Sequence, residues 1–209
     1  MARVDNTAMD LSFWILVGAV GAFFYNRYEQ ARRVLMLRAL LNPYQLEQLM
    51  QTLIEGYMRA LGEADEERRR SVWQVMEGHE TLLVSQMQRL AADTASMSGP
   101  MARVSRLPML LPGVTRWWPK ACFELPQALR IHADGITRVA HNEAGLDPRA
   151  KAFCMTAELL LFQHTCHWYC RSRTTASARL VARHQTRHEQ ALAAASAGTR
   201  DGLMAIGAV

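Results

Sequence analysis

Lysine is almost missing from this chain: of its 24 basic residues only Lys120 and Lys151 are not arginine. Arginine suits paired contacts with phosphate and carboxylate, but a GC-rich genome yields the same bias, so the scarcity assigns no function. Cysteine is scarce too. Cys122, Cys154, Cys166 and Cys170 are four unevenly spaced thiols in 209 residues, which excludes the disulfide framework of a small secreted protein and favours a reducing compartment. β-Branched residues are sparse beside Ala, Leu, Arg, Gln and Glu, and no segment alternates as a strand does, so the expected fold is all-α. No glycine loop for phosphate, Ser-His-Asp set or paired carboxylates stands out. Cys166 and His167 are adjacent, and a helix points adjacent side chains apart. Glu77, His79 and Glu80 crowd one helical turn, as charged residues do by chance. An enzyme is not expected.

Long apolar runs are also rare, and the one present is short. Residues 11–25 carry no charge in fifteen positions, which as a helix reach ~22 Å, against a hydrocarbon layer of about 30 Å. Trp14 and Tyr25 suit the headgroup zones at its two ends, so a single-pass anchor is expected with help from local thinning. Gly18 and Ala22 lie four apart on one face, an arrangement that lets a second transmembrane helix approach closely. Arg3 stands alone before the run, whereas Arg27, Arg32, Arg33 and Arg38 follow it. This places the N-terminus outside and the bulk of the chain on the cytoplasmic side of an inner membrane. Asp5 and Asp10 argue against a secretory signal peptide, whose first region is positive.

Beyond the anchor, the pattern predicts a juxtamembrane helix to Leu41 and a stop at Asn42-Pro43. Asn42 then serves as N-cap of a second helix whose buried stripe runs through Leu46, Leu49, Met50, Leu53, Ile54, Tyr57, Met58 and Leu61 to Gly62. Asp65 opens a third helix, antiparallel to the second, reaching about Met97. The mixed charges from Glu63 to Arg70 read as a solvated face. Four prolines within 97–119 interrupt the helical logic. That stretch carries Met109, Leu110, Leu111, Val114, Trp117 and Trp118, and is too apolar for a free linker. A fourth helix from Pro126 to about Ala144 stops at Gly145, and Asp147-Pro148 opens a long C-terminal helix with a weak point at 171–175. The expected map is a tail and anchor over 1–25, a juxtamembrane helix and hairpin over 26–97, and a Pro-rich connector over 98–125. A second helical lobe over 126–197 and a frayed tail over 198–209 complete it.

Chemistry concentrates in one place. Cys166 and Cys170, then His184 and His188, are each four apart, so two facing helices could offer a Cys2His2 set to zinc. The spacing is near that of a zinc finger, but the surroundings read as helix rather than hairpin. The ordinary alternative is that these are seam residues of a packed helix, with no cofactor. Arg171, Arg173, Arg179, Arg183 and Arg187 make this the most basic region, suited to anionic lipid, an acidic protein partner or, less well, nucleic acid. The expected function is a non-catalytic, membrane-tethered helical adaptor or structural subunit of a multiprotein envelope assembly, such as a secretion or transfer apparatus. Trp14, Gly18, Ala22, Tyr25, Trp117 and Trp118 are its expected contacts with lipid or with other subunits. The alternative is a metal-stabilised, Arg-rich nucleic-acid-binding or regulatory module.

Overall fold

The computed structural model describes residues 3–109 and 111–209, with side chains from residue 11 onward. Leu110, one of the apolar connector residues, lies outside the described residues. The fold is all-α with one small two-stranded clip. α1 (Arg3–Leu41) is a single helix of 39 residues, about 58 Å long. Among the described residues its second half joins the body, through the face that carries Glu29, Arg33 and Leu37. Among the described residues no helix is long and apolar enough to cross a membrane. The expected transmembrane anchor at 11–25 is thus without support as a full span, for the reason its length already gave.

α2 (Leu46–Gly62) begins three residues after Pro43, with Gln45 rather than Asn42 at its N-cap and no side-chain cap bond. Gln45 instead donates its backbone N–H to Gln86 Oε1 at 2.7 Å, which satisfies the helix end through a tertiary contact. The buried stripe holds Leu46, Leu49, Met50, Leu53 and Tyr57, whereas Met58 is exposed. α3 (Glu66–Thr94) is capped by Asp65, whose Oδ1 accepts the Arg68 N–H at 2.9 Å. Cross-pairs between Tyr44 and Asp93 at one end and Tyr57 and Glu80 at the other fix α2 and α3 as antiparallel.

The proline-rich stretch has more order than its sequence suggested. β1 (Arg103–Ser105) pairs antiparallel with β2 (Cys122–Glu124), Val104 facing Phe123, and α4 (Val114–Trp117) sits in the loop between them. Trp168 donates Nε1–H to the Ser105 carbonyl at 2.7 Å, and Tyr169 donates its hydroxyl to the Met101 carbonyl at 2.9 Å. These three-residue strands have no alternating pattern to detect. They hold because Trp168 and Tyr169, from a later helix, supply partners for this backbone.

α5 (Leu125–Ala140) ends earlier than Gly145: Asn142 takes a left-handed φ of 52°. Its side chain bonds both the N–H and the carbonyl of Leu146, a turn that asparagine tolerates well. α6 (Pro148–Cys170) is capped by Asp147 as expected. The long C-terminal helix is broken into α7 (Arg173–His184), α8 (His188–Ala194) and α9 (Ala197–Ala205). Residues 198–209 are not frayed. Leu203, Ile206 and Ala208 are buried, and Arg106 donates twice to the Ile206 carbonyl. Buried apolar side chains from Leu37 through α2, α3, α5 and α6 to Ala208 form one cluster, so the hairpin and the C-terminal helices share a core.

Two buried carboxylates pin this core. Glu80 accepts from Tyr57 at 2.6 Å and pairs with Lys151 at 2.6 Å, tying α2, α3 and α6. Glu158 accepts the Ser196 N–H at 3.0 Å and the Thr199 hydroxyl at 2.8 Å, tying α6 to the start of α9. Burial pushes the Glu158 carboxyl up, and these hydrogen bonds together with Arg138 oppose that shift. Gly135 of α5 lies against the same pair: a Cβ there would meet Thr199 Oγ1 at 1.9 Å and Glu158 Oε2 at 2.7 Å. Gly135→Ala therefore costs about 1–3 kcal/mol by overpacking, although alanine is the better helix former. A lowered urea midpoint checks this, with Gly62→Ala, where nothing stands within 4 Å, as the control whose midpoint does not fall.

Candidate functional site

The most unusual surface is the first half of α1. Every residue from 11 to 21 is exposed, Trp14 at 67%, and Phe23, Phe24 and Tyr25 continue the exposure. A Cβ on Gly18 or Gly21 would meet nothing within 4 Å. An amphipathic helix hides one face; this one hides none, and its apolar side chains occupy the whole circumference. Fully burying a large apolar side chain is worth roughly 1.5–3 kcal/mol, so the rod carries a large unmet drive toward a non-aqueous environment.

Arg33 explains why the rod does not fold back. Its side chain is 1% exposed. Nη1 donates to the carbonyls of Arg103 (3.0 Å) and Tyr169 (3.3 Å), and Nη2 to Glu29 Oε1 (3.1 Å) and Thr115 Oγ1 (3.2 Å). The guanidinium also lies 5.1 Å from the Tyr169 ring centroid, a cation–π contact. One side chain thus joins α1 to β1, α4 and α6, and its charge is matched by Glu29 one turn away. Sequence reading grouped Arg33 with the flanking arginines. The signal it missed is position: Glu29, Arg33 and Leu37 stand four apart and share the face that packs.

The connector's apolar tip stands beside this joint. Thr115 bonds both Arg33 and Glu29, which sets α4 against α1 about one turn beyond Tyr25. From there Trp117 projects 80% exposed, with Trp118, Met109 and Leu111 also exposed.

The four residues with zinc-ligand spacing are not gathered. Cys166 lines a groove among the end of α1, α2, α6 and α7, and His184, on that groove's wall, shares a hydrogen bond with Gln163 at 3.0 Å. His188 stacks instead on His164, ring centroids 4.3 Å apart. Burial pushes the Cys166 and Cys170 thiols up, which disfavours the thiolates a metal needs. Among the described residues no three His, Cys, Asp or Glu side chains are grouped to hold a metal. The groove itself encloses about 710 Å³. Leu37, Leu41, Met50, Ile54 and Phe162 give it apolar walls, with Arg38, Glu47 and Arg183 among its charged lining residues.

His132, His164 and His188 form a buried set that sequence reading did not anticipate, because they come from α5, α6 and α8. His132 shares a hydrogen bond with Thr165 at 2.8 Å, and its Nδ1 is buried without a partner. His164 bonds Ser177 at 3.0 Å. Burial, with the neighbouring His188, holds His132 down to about 3. Burial, with His188 and Arg173, holds His164 down to about 3, and burial and Arg173 lower His188.

The basic residues do not all face one way. Arg171 bonds Gln30 of α1, Arg173 stacks over Trp168 at 5.6 Å, and Arg183 lines the groove. Arg179 lines a separate cleft with Arg171, and Arg187 caps α8.

Two outcomes follow from this geometry. Arg33→Ala leaves Glu29 and two carbonyls without their partner and costs roughly 3–5 kcal/mol, and Arg33→Lys does not restore it, lacking the fork. Chemical denaturation of both variants reads this directly. The histidines act through pH: unfolded imidazoles take protons near 6.5, and the folded ones do not until about 3. Their stability contribution is therefore complete above pH 6.5 and drains as pH falls toward 3. At pH 5 His132 and His164 each subtract about 2 kcal/mol, so the urea midpoint drops between pH 7.5 and pH 5; an unchanged midpoint contradicts the burial.

No family model matches this sequence, and no curated protein and no solved structure matches it either. What the protein does rests on its own geometry.

Proposed function

We propose that the protein is a non-catalytic, membrane-seated helical adaptor: a structural subunit whose α1 enters the lipid of the inner membrane from the cytoplasmic side and whose helical body presents protein-binding surfaces there. The carrying observation is the apolar first half of α1, exposed on all sides yet continuous with a second half clamped by Arg33. Contiguous apolar surface of this extent marks a membrane or protein contact.

The apolar run is short of a full hydrocarbon layer. Two routes make up the difference: local thinning, with Trp14 and Tyr25 at the interfaces, and a neighbouring transmembrane helix packed along Gly18 and Ala22. Trp117 and Trp118 supply a second interfacial contact beside the exit of α1, as amphipathic indoles do. Arg27, Arg32 and Arg38 follow the apolar run and favour the cytoplasmic side for the body. A place in an envelope assembly such as a secretion or transfer apparatus accords with a tethered body in which Arg33, Glu80 and Glu158 hold helices together. The groove beside α2 has the apolar walls and charged lining that a partner helix requires.

Co-flotation with neutral phosphatidylcholine vesicles tests the reading. The full chain floats with the vesicles and resists a carbonate wash, and deletion of residues 1–25 releases it. A full chain that stays at the bottom of the gradient, or a deletion that floats equally well, contradicts it.

A further inference from the structure

A cleft of about 320 Å³ opens where α1 meets the start of α7, lined by Gln30, Met109, Arg171, Ser172, Thr175 and Arg179. We infer that this cleft holds the phosphate of an anionic phospholipid headgroup, an inference that rests on the membrane-seated reading of α1.

Three independent features meet there. The first is depth. Gln30 is five residues beyond Tyr25, so the cleft lies about 7–8 Å along the axis from the end of the apolar run. The headgroup layer on each side of the hydrocarbon is roughly that thick. Lipid that surrounds the apolar half of α1 thus brings its phosphates level with Arg171 and Arg179.

The second is charge. From Arg171 to His188 the chain has five arginines and no acidic residue. Glu29, the acid on the adjoining turn of α1, is engaged by Arg33 and Thr115. Arg171 spends Nη1 on Gln30, which leaves its Nε–Nη2 edge for a phosphate diester. Arg179 is exposed and makes no hydrogen bond or ion pair among the described residues.

The third is the wall. Thr174 donates both its N–H (3.3 Å) and its hydroxyl (2.8 Å) to the Pro108 carbonyl, which fastens α7 to the connector and sets exposed Met109 on the cleft's edge. An apolar thioether beside two guanidiniums and two hydroxyls matches an acyl chain joined to a headgroup better than it matches a soluble anion. The cytoplasmic leaflet, where the arginines place the body, is the one with the anionic lipid.

Calorimetric titration of the full-length chain in neutral detergent micelles with dihexanoyl phosphatidylglycerol and with dihexanoyl phosphatidylcholine tests this. Phosphatidylglycerol binds the tighter of the two. Arg179→Gln weakens it about fivefold and the Arg171→Gln, Arg179→Gln pair roughly thirty-fold, in line with the attraction per arginine at an anionic surface. The charge-matched Arg68→Gln, Arg70→Gln control on α3 leaves it unchanged. Equal affinity for the two lipids, full affinity in Arg179→Gln with the fold intact by circular dichroism, or equally tight binding of inorganic phosphate overturns the inference. Flotation on neutral vesicles separates the two claims. Flotation with no phosphatidylglycerol preference removes the cleft and leaves the membrane seat; preference without flotation does the reverse.

Discussion

Burying the Arg33 guanidinium is the constraint on which the rest of the architecture depends. A charge removed from water is costly unless it is paired and its donors are used. Here the pairing is with Glu29 on the same helix and the two Nη groups donate to three other pieces of chain, while Nε and Glu29 Oε2 have no partner among the described residues. The connector is thereby locked: β1 gives a carbonyl, α4 gives the Thr115 hydroxyl, and α6 gives the Tyr169 carbonyl together with its ring. A prolyl stretch with little regular structure of its own becomes a fixed part of the body. The same bond set fixes the direction in which α1 leaves that body. Because α1 is one continuous helix, its apolar half is held out rather than folded onto the core.

The interior repeats this device. Glu80 with Tyr57 and Lys151, and Glu158 with Ser196 and Thr199, each use a buried carboxylate to join helices far apart in sequence. The three buried histidines occupy the seam of α5, α6 and α8 and stay neutral there. These groups are inward, and each meets a residue of another helix. What faces outward is an apolar rod, a pair of tryptophans, an apolar-walled groove and a set of arginines. Those are contact chemistries; the rod, the tryptophans, Arg171 and Arg179 lie near the exit of α1, and the groove opens at the other end of that helix.

The helices were legible in the sequence where local signals decide. Asp65 and Asp147 cap α3 and α6 as their positions imply, the stripe through Leu46, Leu49, Met50, Leu53 and Tyr57 is buried, and Gly62 ends α2. The misses share one cause, since tertiary partners override local preference. Asn42-Pro43 has the form of a helix start, but Gln86 captures the Gln45 N–H and moves the start onward. The strands at 103–105 and 122–124 are three residues each, too short to alternate, and exist because α6 accepts them. The C-terminal tail looked frayed because it is rich in Ala and Gly; small residues let α9 approach α5 closely, as at Gly202 against Ile131. For the site, i,i+4 spacing put Cys166 with Cys170 and His184 with His188, but spacing fixes only which residues share a face. The turn at Gln185, with its left-handed φ of 50°, places His188 on His164 instead.

The central claim is that α1 is a single rod with one half clamped in protein and the other half seated in lipid. Amide hydrogen exchange of the full chain in lipid nanodiscs measures both halves at once. Slow exchange across residues 11–25 in the nanodisc, together with slow exchange across residues 29–41, is the predicted result. Fast exchange across residues 11–25 in the nanodisc, with residues 29–41 still protected, contradicts it.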